Sequence, residues 1–163
     1  MSTDKYDIIV IGGGPAGGQA ARNLAKKGHK VLLVERYQSF GQNDFSSAGM
    51  TLEPLKDFDL PDSIIGAYWN DIVIQCSQKN YHWKGEKAKG VVLDFKKLRQ
   101  FLADDCIANG GKVLMGHRYL KKEVTKEGVK VELLNTQSSE TIHVEAKLVI
   151  DATGPLRKVM YDE

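Results

Sequence analysis

The chain has 163 residues, of which 42% are hydrophobic and 27% charged; this is enough apolar material for a core and too much for a disordered chain. With 23 Lys and Arg against 21 Asp and Glu, a net charge of +2 gives no electrostatic reason to expect nucleic acid or an anionic membrane as a partner. Cys76 and Cys106 lack CxxC spacing, which argues against a disulfide framework, a zinc site or a redox dithiol and suits a reducing cytoplasm.

The opening MSTDKYD has no basic region followed by an apolar one, and apolar stretches such as Ile8 to Ile11 are too short to span a bilayer. The expectation is a cytoplasmic protein with no transmembrane segment. Tyr6 to Ile11, apolar and rich in β-branched residues, reads as a strand buried on both faces. Gly12, Gly13 and Gly14 follow, then Pro15, which suits a first helical turn. Ala16, Ala20, Ala21, Leu24 and Ala25 recur at helical spacing, Gly28 is a fitting stop, and Lys30 to Val34 is a second buried strand. Strand, glycine turn, helix and strand make a βαβ unit.

Arg36 to Asn70 reads as irregular, punctuated by Pro54 and Pro61. Residues 71–77, 81–84 and 90–93 read as short strands. Asp94 is placed to N-cap a helix whose apolar stripe is Phe95, Leu98, Phe101 and Leu102, ending at Asn109-Gly110-Gly111. Lys112 to Met115 reads as a third parallel strand. Residues 118–125, 129–134 and 141–146 alternate in polarity and read as an antiparallel three-stranded meander, followed by a short buried strand at 148–151 and the turn Ala152 to Pro155.

Gly12-x-Gly14-x-x-Gly17, set between a strand and a helix, is the dinucleotide fingerprint. Gly12 allows the tight turn, Gly14 lets backbone approach a pyrophosphate, and Gly17 lets the helix pack on the strand. Glu35, 18 residues after Gly17 at the end of the second strand, can accept the hydroxyls of an adenosine ribose and would repel a 2′-phosphate. This favours FAD or NAD over NADP.

The sequence further resembles the FAD-binding fold of the glutathione-reductase type, in the branch of p-hydroxybenzoate-hydroxylase-like enzymes and geranylgeranyl reductases. The resemblance is carried by YDIIVIGGGPAGGQAA (6–21), VLLVER (31–36), LDFKKLRQFL (93–102), GGKVLMG (110–116) and AKLVIDATGPLRKV (146–159). GQNDFSSAGM (41–50) looks more like the reductases than the hydroxylases. The fold class expected is therefore α/β: a Rossmann-like FAD-binding fold with a parallel sheet and a three-stranded antiparallel β-meander. One domain over 1–163, incomplete at its C-terminal side, is expected, with 51–92 an insertion contributing to the substrate side.

The resemblance implies that backbone around Gly12, Gly14, Pro15, Ala16 and Gly17 holds the FAD pyrophosphate, and that Glu35 and Arg36 hold the adenosine half. Ser47, Ala48 and Gly49 would approach the cofactor, backbone near Tyr119 would meet the adenine, and Asp151, Thr153 and Gly154 would form a second nucleotide-side contact. It also implies a flavin-dependent oxidoreductase that passes hydride through FAD to or from an apolar substrate, with NAD(P)H as a candidate electron donor and a substrate domain beyond this chain. Phe95 stands where the family usually has an arginine directed at the cofactor, which lowers the expected affinity. A non-catalytic dinucleotide-binding fragment and an NAD-binding module remain the alternatives.

No residue stands out as a catalyst. His29, His82, His117 and His143 read as surface, edge or turn residues, and no pair has metal-ligand spacing. Tyr68, Trp69, Tyr81 and Trp83 read first as packing against the substrate domain and second as a wall of its pocket.

Overall fold

Four consecutive apolar residues, Ile8 to Ile11, are buried on both faces of a sheet, as an interior strand requires. The structure, a computed structural model, describes residues 4–44, 46 and 48–161. In chain order the elements are β1 (Asp4–Ile11), α1 (Pro15–Lys26), β2 (Val31–Val34), β3 (Gly49–Thr51), α2 (Glu53–Asp57), β4 (Ile65–Trp69), β5 (Ile72–Gln75), β6 (Asn80–Trp83), β7 (Gly90–Leu93), α3 (Phe95–Ala108), β8 (Lys112–Leu114), β9 (His117–Thr125), β10 (Gly128–Asn135) and β11 (Thr141–Asp151). Single 3-10 turns lie at Asp62–Ile64 and Gly154–Leu156. The chain divides into two units, Met1–Asn43 with Arg99–Glu163, and Asp44–Leu98.

The first unit is built on a six-stranded sheet in the order β8-β2-β1-β11-β10-β9. β1 pairs in parallel with β2 and with β11, β2 pairs in parallel with β8, and β9, β10 and β11 run antiparallel to their neighbours in the meander. Period-2 alternation sorts the side chains into two cores. Ile9, Ile11, Leu32 and Val34 join Tyr119, Val131, Leu133 and Val144 on one face. Ile8, Val10, Val31 and Leu33 join Ala21, Ala25 and Cys106 on the other, under α1 and α3. Burying an isoleucine or valine this fully stabilises by roughly 1.5–3 kcal/mol each, so the two cores outweigh any surface contact in the unit.

The sequence separates 141–146 from 148–151, but the structure makes them one continuous strand. Lys147 is no turn former, and β11 can serve two partners at once, with Ala146 opposite Val129 on one side and Tyr6 on the other. The meander is therefore not a separate sheet; it extends the parallel one.

In the second unit, β3-β7-β4 form a three-stranded sheet and β5-β6 a two-stranded one. The stretch 36–70, expected to be irregular, thus contains two strands, α2 and a 3-10 turn. β3 and β4 gain their pairing from β7, later in the sequence (Gly49 opposite Val92, Trp69 opposite Gly90), a cue that no local pattern carries. Pro54 sits inside the first turn of α2, where a proline costs no hydrogen bond. Asp94 caps α3 as expected: its Oδ1 accepts the Lys97 amide at 2.9 Å, and this bond, more than the opposing desolvation, holds its carboxyl below the usual range.

Candidate functional site

β1 ends at Ile11 and α1 begins at Pro15, so Gly12, Gly13 and Gly14 make the whole connection. Gly12 has φ +112°, and a Cβ there would stand 2.3 Å from the Ala152 carbonyl oxygen. At Gly17 a Cβ would stand 1.9 Å from the Gly12 carbonyl oxygen, so α1 lies directly against the turn. Gly14 is the opposite case. It is the N-cap of α1, and among the described residues nothing lies within 4 Å of the place its Cβ would occupy. Its missing side chain leaves open space in front of the helix. Among the described residues no side chain caps α1, and no acidic residue in the first turn opposes an anion there. Pro15 and Ala16 are exposed at the same place.

Glu35 is buried and aimed at this turn. Its Oε2 accepts the Gly13 amide at 2.8 Å and its Oε1 accepts the Tyr37 amide at 3.0 Å. Each carboxylate oxygen keeps a further acceptor site, so hydroxyl donors could be served without breaking either bond. Gly13 matters as well. A Cβ there would meet Glu35 Oε2 at 2.9 Å and the Phe40 ring at 3.1 Å, so this position favours glycine too, a fourth beyond the three that the fingerprint counts.

The turn after β11 abuts the same place, since the Ala152 amide donates to the Ile11 carbonyl at 2.8 Å. Asp151 looks inward to its own loop. Its Oδ1 accepts the Thr153 hydroxyl at 2.7 Å and amide at 3.0 Å, and its Oδ2 accepts the Val159 and Met160 amides at 3.0 and 2.9 Å. Burial alone would raise this carboxyl, but the four donors outweigh it and hold it below the usual range. Asp151 therefore organises the turn that carries Thr153 and Gly154. The C-terminal ends of β1, β2 and β11 thus bring together Gly12 to Gly17, Glu35 and Ala152 to Gly154, at the side of a parallel sheet where ligands bind.

The other expected residues are placed less tightly. Arg36 is exposed, with its guanidinium 4.7 Å from the Tyr37 ring centroid. Tyr119 sends its side chain into the core, while two residues earlier the His117 amide donates to the Glu35 carbonyl at 2.9 Å. Ala48 and Gly49 belong to the second unit, where Gly49 opens β3. Ser47 lies outside the described residues.

Besides Gly13, two residues were missed in the sequence. Arg99, on α3, is buried and donates to the carbonyls of Phe40 and Gln42, and Phe40 packs at Gly13. The only signal was an arginine on the apolar side of an amphipathic helix. Among the described residues no group of His, Cys, Asp and Glu could hold a metal, and no helix is long and apolar enough to cross a membrane. His82 pairs with Asp71 at 3.0 Å on the exposed β5-β6 hairpin, where the Tyr81 and Trp83 rings stack with centroids 5.8 Å apart.

Comparison with known proteins bears on this geometry directly. The profile of the FAD dependent oxidoreductase family matches residues 7–155. The chain is 33% identical over 156 residues to a digeranylgeranylglycerophospholipid reductase of Haloferax volcanii, covering 94% of this chain and 36% of that protein. It is 31% identical to an uncharacterized protein from the nifH2 5′ region of Methanosarcina barkeri, covering 92% of this chain and 83% of that one. Among solved structures, a geranylgeranyl bacteriochlorophyll reductase-like protein of Thermoplasma acidophilum superposes with a TM-score of 0.83 at 27% identity, over 94% of this chain and 40% of that one. The flavin-dependent monooxygenase PieE, solved with FAD and substrate, shares the fold at a TM-score of 0.73 and 18% identity, over 94% of this chain and 31% of that one. The chain thus spans little more than a third of the Haloferax reductase, and what it spans contains the glycine turn, Glu35 and the meander. It belongs to the FAD-dependent oxidoreductase family and corresponds to the FAD-binding portion of its geranylgeranyl-reductase-like members.

Proposed function

We propose that the chain holds the FAD of a reductase acting on digeranylgeranylglycerophospholipids or a comparably apolar prenyl substrate, in the cytoplasm, with NAD(P)H as electron donor and a further substrate domain. Bound FAD would supply the hydride chemistry, and this chain's residues bind and orient it. Amides at Gly14, Ala16 and Gly17 take the pyrophosphate at the mouth of α1, with Gly12 and Pro15 shaping the turn. Glu35 accepts the ribose hydroxyls and Arg36 flanks the adenine, which meets backbone near Tyr119. Thr153 and Gly154, held by Asp151, make a second nucleotide-side contact.

The observation that carries this reading is the pairing of an uncapped helix start, open at Gly14, with a carboxylate pinned to the adjacent Gly13 amide. The test is to purify the whole chain, record its visible spectrum and titrate it with FAD, NAD and ADP. Flavin absorbance, saturable FAD binding and competition by ADP are expected. Binding of NAD in preference to FAD would make it an NAD-binding module instead, and uptake of neither would overturn the reading.

A further inference from the structure

The loop that leaves Glu35 is fixed at its far end by an arginine. Arg99 is 5% exposed; its Nη2 donates to the Phe40 carbonyl and, at 3.3 Å, to that of Gln42, while Cζ lies 5.6 Å from the Phe40 ring centroid. Phe40 is 4% exposed, and its Cε1 stands 3.1 Å from where a Gly13 Cβ would be. The other atoms around that point are Oε2 and Cβ of Glu35, at 2.9 and 3.0 Å. Arg99, Phe40, Gly13 and Glu35 therefore stand in succession from helix to glycine turn. A planar guanidinium suits this task because one of its nitrogens can serve both carbonyls while its plane lies against a ring, which an ammonium does poorly. Between the two anchors, Gln42 Oε1 accepts the Gln38 amide at 2.7 Å and the Tyr37 carbonyl accepts the Gly116 amide at 2.8 Å.

We propose that Arg99 is a positioning residue for the dinucleotide: by holding Phe40, it keeps the Glu35 carboxylate pressed to the Gly13 amide and aimed at the adenosine ribose. The inference rests on the reading above, in which Glu35 meets that ribose. A carboxylate that must serve two hydroxyls binds them better when its rotamer is already fixed, because the ordering cost is met in folding rather than in binding. Freed from Arg99, the loop over residues 36–42 would relax and the Glu35 side chain with it.

The test uses the whole chain with Arg99→Met and Arg99→Lys, each alone and in a Glu35→Ala background. Affinities for FAD and for ADP are measured by titration calorimetry, and the Tm of the ligand-free protein by scanning calorimetry. Arg99→Met is expected to weaken FAD and ADP alike, by about ten-fold, mid-range for residues coupled through one hydrogen-bonded network. Arg99→Lys recovers part of this loss. In the Glu35→Ala background the Arg99→Met effect shrinks below about two-fold, because the residue acts through Glu35. A lowered Tm with both affinities unchanged would overturn the positioning role, as would losses that multiply in the double variant. If Arg99→Met does not fold, Arg99→Lys, which keeps the charge but loses the planar group, decides by the same comparison. A wild-type chain that binds neither FAD nor ADP overturns the underlying reading instead.

Discussion

The Glu35 carboxylate accepts the Gly13 amide at 2.8 Å, joining the end of β2 to the glycine turn across 22 positions of sequence. The same side chain also holds the Tyr37 amide, so one residue fixes the turn before the helix and the loop after the strand. On the proposed reading, replacing it with alanine removes an ionic acceptor for the ribose, a change of about 1.5–3 kcal/mol in binding. Glu35→Ala should therefore lower FAD affinity by at least ten-fold or so while the chain still folds. Glu35→Gln, which keeps an acceptor for Gly13, should melt closer to wild type than Glu35→Ala. Flavin titration and thermal melts on the same preparations check both halves.

Gly14 and Gly17 should separate binding from folding. Gly14→Ala projects a methyl into open space at the N-cap, so its Tm should fall much less than that of Gly17→Ala while FAD affinity falls. Gly17→Ala drives a methyl onto the Gly12 carbonyl, a backbone atom that cannot swing away. Overpacking costs typically about 1–3 kcal/mol, and here the top of that range is expected. Urea unfolding of both variants beside FAD titration decides; equal destabilisation would contradict the geometry.

The two cysteines should differ sharply toward alkylating reagents. Burial, with a smaller push from Asp105, raises the Cys106 thiol to about 11, whereas Cys76 is exposed. Iodoacetamide at mildly alkaline pH should modify Cys76 in the native protein and reach Cys106 only after denaturant is added. Peptide mass spectrometry after a timed quench reads this directly.

Asp151 gives a pH dependence of defined sign. Its carboxyl lies below the ordinary value of 3.8 in the folded chain, so the folded state holds on to fewer protons than the unfolded one in that range. The stabilisation is complete above the unfolded value and is lost as pH falls through the folded one. Asp151→Asn should thus be less stable than wild type near neutrality, and the gap should narrow below about pH 4. Urea midpoints across that range test it, and a gap that widens in acid would contradict the hydrogen bonds from Thr153, Val159 and Met160.

How much was legible in the sequence follows from how local each signal was. β1, the glycine turn, α1 and β2 declare themselves within one βαβ stretch, because burial on both faces and glycine sterics leave direct marks on composition. The meander was readable from alternation, and Asp94 from its place before an amphipathic stripe. β3 and β4 were hidden because their partner β7 lies further along the chain. The break assumed between 146 and 148 came from treating antiparallel and parallel pairing as belonging to different strands. Gly13, Phe40 and Arg99 were missed for a similar reason: each matters through contacts with residues distant in sequence.

The two-sided pairing of β11 has a consequence for biosynthesis. β1 leaves the ribosome well before β11, yet one of its edges is met only by Thr141–Asp151. Translation at about 5–20 residues per second leaves that flank of Ile8 to Ile11 bare for many seconds, open to chaperones or to a neighbouring nascent chain. Closure of the sheet must therefore be a late event, and the yield of native protein should respond to translation speed and chaperone supply more than to the stability of the finished fold.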